Sequence, residues 1–322
     1  MTATLTGTSF SSRTVPWMKI GAVIDGDVSS QEAARIGGID FDVELRSISF
    51  HRPEANTWRR VAKRFAVVRQ DTDEFFDVVS DRYAPVQYRE AFEFMDGINP
   101  RYVAAGPLSG GRQAFMVVQL PGAATFDPFP AGDVERNPRG YESDPHDLYV
   151  VLRTSHDRSK GIEVALLPLR NRCMNQLALR SFARDAPQSW SVKHIGDPLR
   201  RLQEAQRVLA RAPRYVEVYA NQVRQLASVS VSSTELREVV RKVLPDRPKR
   251  DEQLDAITRA FRDSSAVGFG GTGWGAVNAV SEYFEHGRDS GSRTDQARFT
   301  GGLNGDTKKY VTRVAQLLAN RA

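Results

Sequence analysis

Residues 148–181 bring together a His156–Asp157 pair, the only cysteine of the chain, Cys173, and several arginines. A histidine and a helix N-terminus are the usual means of activating a cysteine thiolate, so this stretch could supply a base and a nucleophile. Clustered arginines instead predict anion binding, because a guanidinium holds two phosphate oxygens at once. The stretch is therefore compatible with a hydrolase or nuclease that uses His156, Asp157 and Cys173, or with a basic binding surface.

The catalytic interpretation has little support from spacing. Nothing in the sequence places His156 or His194 within hydrogen-bond reach of Cys173, and a lone cysteine early in a helix is usually a small buried hydrophobe. The five histidines are scattered, without the close pairs that metal sites use. We therefore expect no metal ion and favour a non-enzymatic function.

A glycine-rich stretch, "GFGGTGWG", contains the bare dinucleotide-binding pattern at Gly268, Gly270 and Gly273. That pattern binds a pyrophosphate only when it follows a strand and opens a helix, and here a helical segment precedes it. The glycines are better interpreted as a tight connection before a helix that begins at Trp274. We expect no cofactor.

Positive charge is concentrated in the middle of the chain. The net charge is +6, but residues 151–214 hold thirteen Lys/Arg against five Asp/Glu, a net +8, so the remainder carries −2. A basic segment on a nearly neutral body is typical of an anion-binding face. A solvated, arginine-rich helix surface would show the same composition, and charge alone leaves both interpretations open.

Arginine and aromatic residues together suit a single-stranded polynucleotide, because guanidinium groups hold phosphates and aromatic rings stack on unpaired bases. We predict stacking by Trp190 or Tyr215. The predicted phosphate contacts are Arg153, Arg158, Lys160, Arg170, Arg172, Lys193, Arg200 and Arg201.

The elements that must position these residues follow from hydrophobic periodicity. Alternating residues predict a strand in "FDVELRSISF", and two further strands are predicted at 64–70 and 75–80, joined by a polar turn. The segments "DLYVVLRTS" and "IEVALLPLR" predict a hairpin around "HDRSKG". We expect His156 and Asp157 to organise that turn, with Asp157 accepting hydrogen bonds from backbone N–H groups. Helices are predicted at 171–183 and over 198–228, with a kink or split at Pro213.

The predicted fold is α+β: an antiparallel curved sheet with hairpins packed on helices, followed by a small C-terminal helical module. A capping box from Ser232 to Glu235 marks the start of that module. The predicted division is a flexible arm at 1–15, a core at 16–228 that contains the basic hairpin–helix segment 148–214, and the module at 229–322.

The expected cellular compartment is inferred from targeting and membrane-spanning patterns that the sequence does not show. No stretch reaches eighteen apolar residues, and the N-terminus has no cationic start followed by an apolar run. A single cysteine excludes an internal disulfide. We expect a cytoplasmic protein without membrane contact.

Ordered blocks of the sequence resemble a phage- and plasmid-encoded family of unknown function, domain of unknown function 932. They include "FAVVRQDTDEFFDVVSDRYAPVQYREAFEFMDGI", "TSHDRSKGIEVALLPLRNRCMNQLALRS" and "GTGWGAVNAVSEYFEH", and the resemblance covers about residues 15–286. One departure is "HDRSKG", where the family pattern implies a glycine at the position of Arg158. The family is distantly similar to single-strand annealing proteins of the RecT and Rad type. That similarity implies rings or filaments that hold single-stranded DNA in a basic groove without ATP.

The leading hypothesis is a protein that binds single-stranded DNA, or RNA, and anneals strands in phage recombination or replication as a homo-oligomeric ring or filament. A phage exonuclease or a host replication protein would be its partner. The second hypothesis is a phage assembly or host-interaction protein that binds an acidic protein. The third is the hydrolase or nuclease described above.

Overall fold

Ten β-strands and eight α-helices make up the part of the chain that the computed structural model describes, residues 20–120, 125–170, 189–209, 212–263, 268–287 and 305–321. The strands are β1 (Ala22–Val23), β2 (Val43–Arg52), β3 (Thr57–Arg69), β4 (Phe75–Ser80), β5 (Arg101–Leu108), β6 (Gln113–Gln119), β7 (Thr125–Phe126), β8 (His146–Ser155), β9 (Ile162–Arg170) and β10 (Ser189–Val192). The helices are α1 (Ser30–Ile36), α2 (Tyr88–Glu93), α3 (Pro198–Leu209), α4 (Ala212–Ser228), α5 (Ser233–Val243), α6 (Arg250–Asp263), α7 (Gly273–Glu282) and α8 (Asp306–Ala319).

The larger sheet is antiparallel, in the order β1-β5-β6-β8-β9-β10, with the short β7 also paired to β8. Its central strands are buried on both faces, which is why "AFMVVQ" and "LYVVL" read as continuous apolar runs without alternation. The hairpin predicted around "HDRSKG" is β8–β9, and Arg153 stands directly opposite Glu163 in its register. The predicted α+β fold with antiparallel sheets is confirmed.

The smaller sheet has the order β2-β3-β4 and contains the three strands predicted between residues 41 and 80. Near its base, Val43, Val67 and Val79 are buried in the core. Beyond residue 48 the β2–β3 hairpin continues as two strands without a third neighbour, since β4 ends at Ser80 opposite Arg64. This projecting part of the small sheet was not recognised from the sequence.

The helices form the other side of the hydrophobic core. Helix α3 is described as far as Leu209 and α4 from Ala212, with Pro213 in the first turn of α4. Residues 210–211, where the kink or split is predicted, lie outside the described residues. The capping box from Ser232 to Glu235 opens α5 as predicted. Thr272 caps α7 after the glycine turn, and Trp274 of that helix is fully buried.

The main hydrophobic core contains residues from both sheets and from the helices. A single cluster of buried residues runs from Ile24 of the sheet region to Leu318 of α8. The boundary predicted at residue 228 coincides with the end of α4, but the core continues across it. The predicted arm at 1–15 lies outside the described residues. None of the described helices is both long enough and apolar enough to cross a bilayer.

Candidate anion-binding cleft

The turn between β8 and β9 is held by side-chain hydrogen bonds. Asp157 Oδ1 accepts a hydrogen bond from the Ser159 backbone N–H at 3.0 Å, so the turn-capping role predicted for Asp157 is confirmed. Ser155 Oγ accepts a hydrogen bond from the Lys160 N–H at 3.0 Å and donates one to the Lys160 carbonyl at 2.9 Å. The turn is thus a fixed platform from which Arg158 and Lys160 project.

This turn forms one wall of a cleft of about 370 Å³. Strands β3 and β4 and the segment after β10 form the other walls, and Ala84 N–H donates to the His194 carbonyl at 3.0 Å to join two of them. Gly161 packs so closely that a Cβ atom there would lie 2.3 Å from the Val192 carbonyl oxygen. The cations that line the cleft are Arg64, Arg158, Lys160 and Lys193.

In the described part of the chain, the residues that line the cleft include four cations and no acidic side chain. Among the described residues, Arg158 is the one of these cations with an ion pair within 4 Å, and its partner is Asp77 of β4. Burial and the neighbouring Arg153 charge lower the pKa of Lys160. Burial also lowers the pKa of His194 to about 4, so this histidine is neutral at pH 7.

The profile of one protein family, described as "Domain of unknown function (DUF932)", matches residues 75–310, which is most of the chain. The chain belongs to the DUF932 family. No curated protein and no solved structure matches it. The matched segment contains three walls of the cleft in full, while Arg64 on β3 lies just before it.

Three of the ten binding residues predicted for this DUF932 chain lie in the interior. Arg153 is 3% exposed and pairs with Glu163 at 2.6 Å. Arg170 is fully buried and pairs with Asp144 at 2.6 Å. Tyr215, on α4, is buried in the core. Buried and paired side chains offer nothing to a polymer in solvent, so these three residues are removed from the proposed interface.

Four other predicted residues lie at or near the surface of the DUF932 protein. Lys193 is exposed and lines the cleft. Trp190 is half-buried in β10 with its ring against the core, so only part of the indole faces solvent. Arg200 and Arg201 are exposed in the first turn of α3, but neither lines the cleft.

A second basic cleft, of about 620 Å³, lies where α5 ends and α8 begins. Its lining cations are Lys242, Lys308, Lys309 and Arg313, again without an acidic side chain among the described lining residues. Ser189, at the start of β10, contributes to it, whereas Lys193 just after β10 belongs to the first cleft. A four-residue strand spans about 13 Å, so the two clefts of the DUF932 chain lie at opposite ends of one short edge strand.

The catalytic alternative finds no assembled site in the described part of the DUF932 chain. Arg172, Cys173 and the helix predicted at 171–183 lie outside the described residues. The His156 imidazole is buried between Tyr88 and Phe76, and neither of its nitrogens has a hydrogen-bond partner among the described residues. Burial lowers its pKa to about 3. Among the described residues no group of three His, Cys, Asp or Glu side chains could hold a metal ion.

The family pattern implies a glycine at position 158, and the backbone conformation at that position explains why glycine would be favoured there. Arg158 has a φ of +57°, in the left-handed region that costs an L-residue about 1–2 kcal/mol. We expect Arg158→Gly to change the free energy of unfolding by less than about 1 kcal/mol, since the relieved strain offsets the lost surface ion pair to Asp77. Arg158→Ala keeps the strain and loses the pair, so urea denaturation should show it to be less stable than the glycine variant. Equal stability of the two variants would contradict this explanation.

Proposed function

We propose that this protein binds single-stranded DNA and anneals complementary strands during phage recombination or replication, as an oligomer that uses no ATP. The observation that carries the proposal is the first cleft, where four cations from three separate parts of the chain converge without an acidic side chain among the described lining residues. Cations brought together against their mutual repulsion are the usual mark of a site for phosphate.

The second cleft extends the same charge along the molecule. Strand β10 connects the two clefts and carries the half-buried Trp190. A basic track with an aromatic residue along it is the arrangement used by proteins that bind single strands without sequence preference. Annealing requires binding positions for the backbones of two strands and does not require a nucleophile. In this proposal, each of the two clefts holds one strand backbone.

The cleft is too small for a folded partner. Its volume of about 370 Å³ lies at the lower end of the range of ligand pockets, roughly 300–1,000 Å³. A phosphate with part of its sugar fits such a space, and the next nucleotides would lie on the surface outside. The alternative of an acidic protein partner would require single carboxylate side chains to enter the same cleft, and nothing in its lining selects them over phosphate.

Charge reversal in the cleft tests the proposal. We expect Lys160→Glu with Lys193→Glu to weaken binding of a labelled single-stranded oligonucleotide at least tenfold at low salt. The slope of log affinity against log salt should fall by about 1 for each phosphate that the variant no longer neutralises. Fluorescence polarisation measures both quantities. The matched control is Lys249→Glu with Arg259→Glu, which also reverses two exposed charges, just before and on α6, and neither residue lines a cleft.

Three outcomes would overturn the proposal. The first is no binding of the wild-type protein to single-stranded DNA at low salt. The second is an equal loss of affinity in the cleft and control variants, which would show that only net charge matters. The third is tighter binding to polyglutamate than to the oligonucleotide, which would favour an acidic protein partner. Annealing itself is measured by the rate at which complementary labelled strands pair without ATP, and electron microscopy of the complex should show rings or filaments.

A further inference from the structure

The β2–β3 hairpin bends at a large bulge. Below it Ser47 pairs with Phe65, and above it Ser49 pairs with Arg60, so Ile48 alone stands opposite residues 61–64. Lys63 in this bulge has a φ of +55°. A bulge of this kind turns the end of a hairpin away from the sheet that carries it. The part beyond it, residues 49–60, is here called the ribbon.

The ribbon is exposed on both faces. Every residue from 49 to 60 is solvent-exposed, and β4 does not extend alongside it. A two-stranded hairpin without a packed face is only marginally stable by itself. Its side chains are therefore not explained by the stability of the fold, and their chemistry points to something outside the chain.

Large aromatic rings stand in the ribbon where solvent would favour polar residues. Trp58 is 71% exposed and Phe50 is 51% exposed. Phe50 pairs across the ribbon with Arg59, so the two share one face. Trp58 pairs with His51 on the opposite face, with their ring centroids 5.1 Å apart, and Arg60 lies on that same face. Each face thus presents one aromatic ring with an arginine next to it.

The ribbon and its base are basic. Between residues 49 and 64 there are five Lys/Arg against one acidic residue, Glu54, for a net charge of +4. The five are Arg52, Arg59, Arg60, Lys63 and Arg64. Arg64 also lines the first cleft, so the strand that enters the ribbon carries one of the cleft's cations.

We infer that the ribbon is a second contact surface for single-stranded nucleic acid, in which Trp58 and Phe50 stack on unpaired bases while the arginines hold the flanking phosphates. This inference rests on the proposed function and adds base contacts to it. The two rings point to opposite faces, so they do not form the single apolar patch that a protein partner or a second copy of the chain would bury. A flexible polyanion with stacking bases fits both faces at once.

The test compares substitutions of exposed aromatic residues inside and outside the ribbon. Trp58→Ala and Phe50→Ala should each weaken binding of an oligothymidylate about tenfold, as loss of one stacked base does. The slope of affinity against salt should stay unchanged, because stacking releases no counterions. Phe75→Ala is the matched control, since Phe75 is 50% exposed on β4 outside the ribbon. An abasic strand of equal length should bind the wild-type protein and the Trp58→Ala variant equally well.

The readouts separate this inference from the proposed function. Oligothymidylate should quench the fluorescence of Trp58, which is obtained as the difference between the wild-type and Trp58→Phe spectra. Trp58→Phe should also bind the strand more tightly than Trp58→Ala does. If the wild-type protein binds the strand and the ribbon variants match Phe75→Ala, the ribbon inference fails while the proposed function stands. If the variants bind normally but sediment differently without DNA, the ribbon contacts a second copy and the inference is likewise overturned. If the wild-type protein does not bind, both fail.

Discussion

Lowering the pH from 7 to 5 is expected to reduce the free energy of unfolding by about 5–6 kcal/mol. Burial lowers the pKa of His146 to about 4, of His156 to about 3 and of His194 to about 4, against about 6.5 in an unfolded chain. Below pH 6.5 the unfolded state therefore binds protons that the folded state cannot, and stability falls as pH falls until the folded pKa values are reached. At pH 5 each histidine contributes about 2 kcal/mol to this loss.

The size of this effect is close to the whole stability of a typical domain, roughly 5–15 kcal/mol. Urea denaturation at pH 7, 6 and 5 measures it directly. Ion-paired carboxylates lose their contribution mainly below pH 5, so this interval isolates the histidines. His156→Phe provides the control, because the ring stacks on Tyr88 and its nitrogens have no hydrogen-bond partner among the described residues. That variant should lose about 2 kcal/mol less between pH 7 and 5. A pH-independent unfolding free energy over this interval would contradict the prediction.

Removing the carboxylate of Asp144 is expected to destabilise the protein by about 3–5 kcal/mol. Asp144 and Arg170 are both fully buried, and the Arg170 Nε–H donates to Asp144 Oδ1 at 2.6 Å. The other carboxylate oxygen accepts a hydrogen bond from the Trp274 indole N–H at 3.4 Å. Without the aspartate, the buried guanidinium would lose this countercharge. Asp144→Leu in chemical denaturation gives the measurement.

A double variant distinguishes a charge effect from a packing effect. Asp144→Leu with Arg170→Met removes both charges, and buried ion pairs replaced by apolar groups of similar volume are often neutral in stability. We expect the double variant to be more stable than Asp144→Leu alone. Equal or lower stability of the double variant would show that the loss comes from the hydrogen bond to Trp274 or from packing.

The strands could be predicted wherever one face or both faces are buried, because burial imposes a pattern on the residues. Strand β8, with its apolar run, and the start of β2, where Val43 and Leu45 alternate with charged residues, are examples. The ribbon could not be recognised, since residues 49–60 have no buried face and therefore no period of two. The exposure of its aromatic residues, which makes them candidates for binding, could be established only from the structure.

The binding residues were predicted from charge, and charge does not report burial. The pairing of Arg153 with Glu163 could have been found, because the predicted hairpin register places them opposite each other. The pairing of Arg170 with Asp144 could not, because Asp144 lies in an irregular segment before β8, where no periodicity places its side chain. Arg64 was missed because it lies outside the basic segment in sequence and reaches the cleft only through the fold.

Because the hydrophobic core includes residues from Ile24 to Leu318, the C-terminal helices cannot be removed without exposing it. Trp274 and Val277 on α7, fully buried, complete the interior that the sheets begin. A chain truncated after α4 would expose that interior to water, so a negative result from a deletion would report misfolding and not a lost activity. The role of the helical half has to be dissected by point substitutions on its outer surface, with the chain kept at full length.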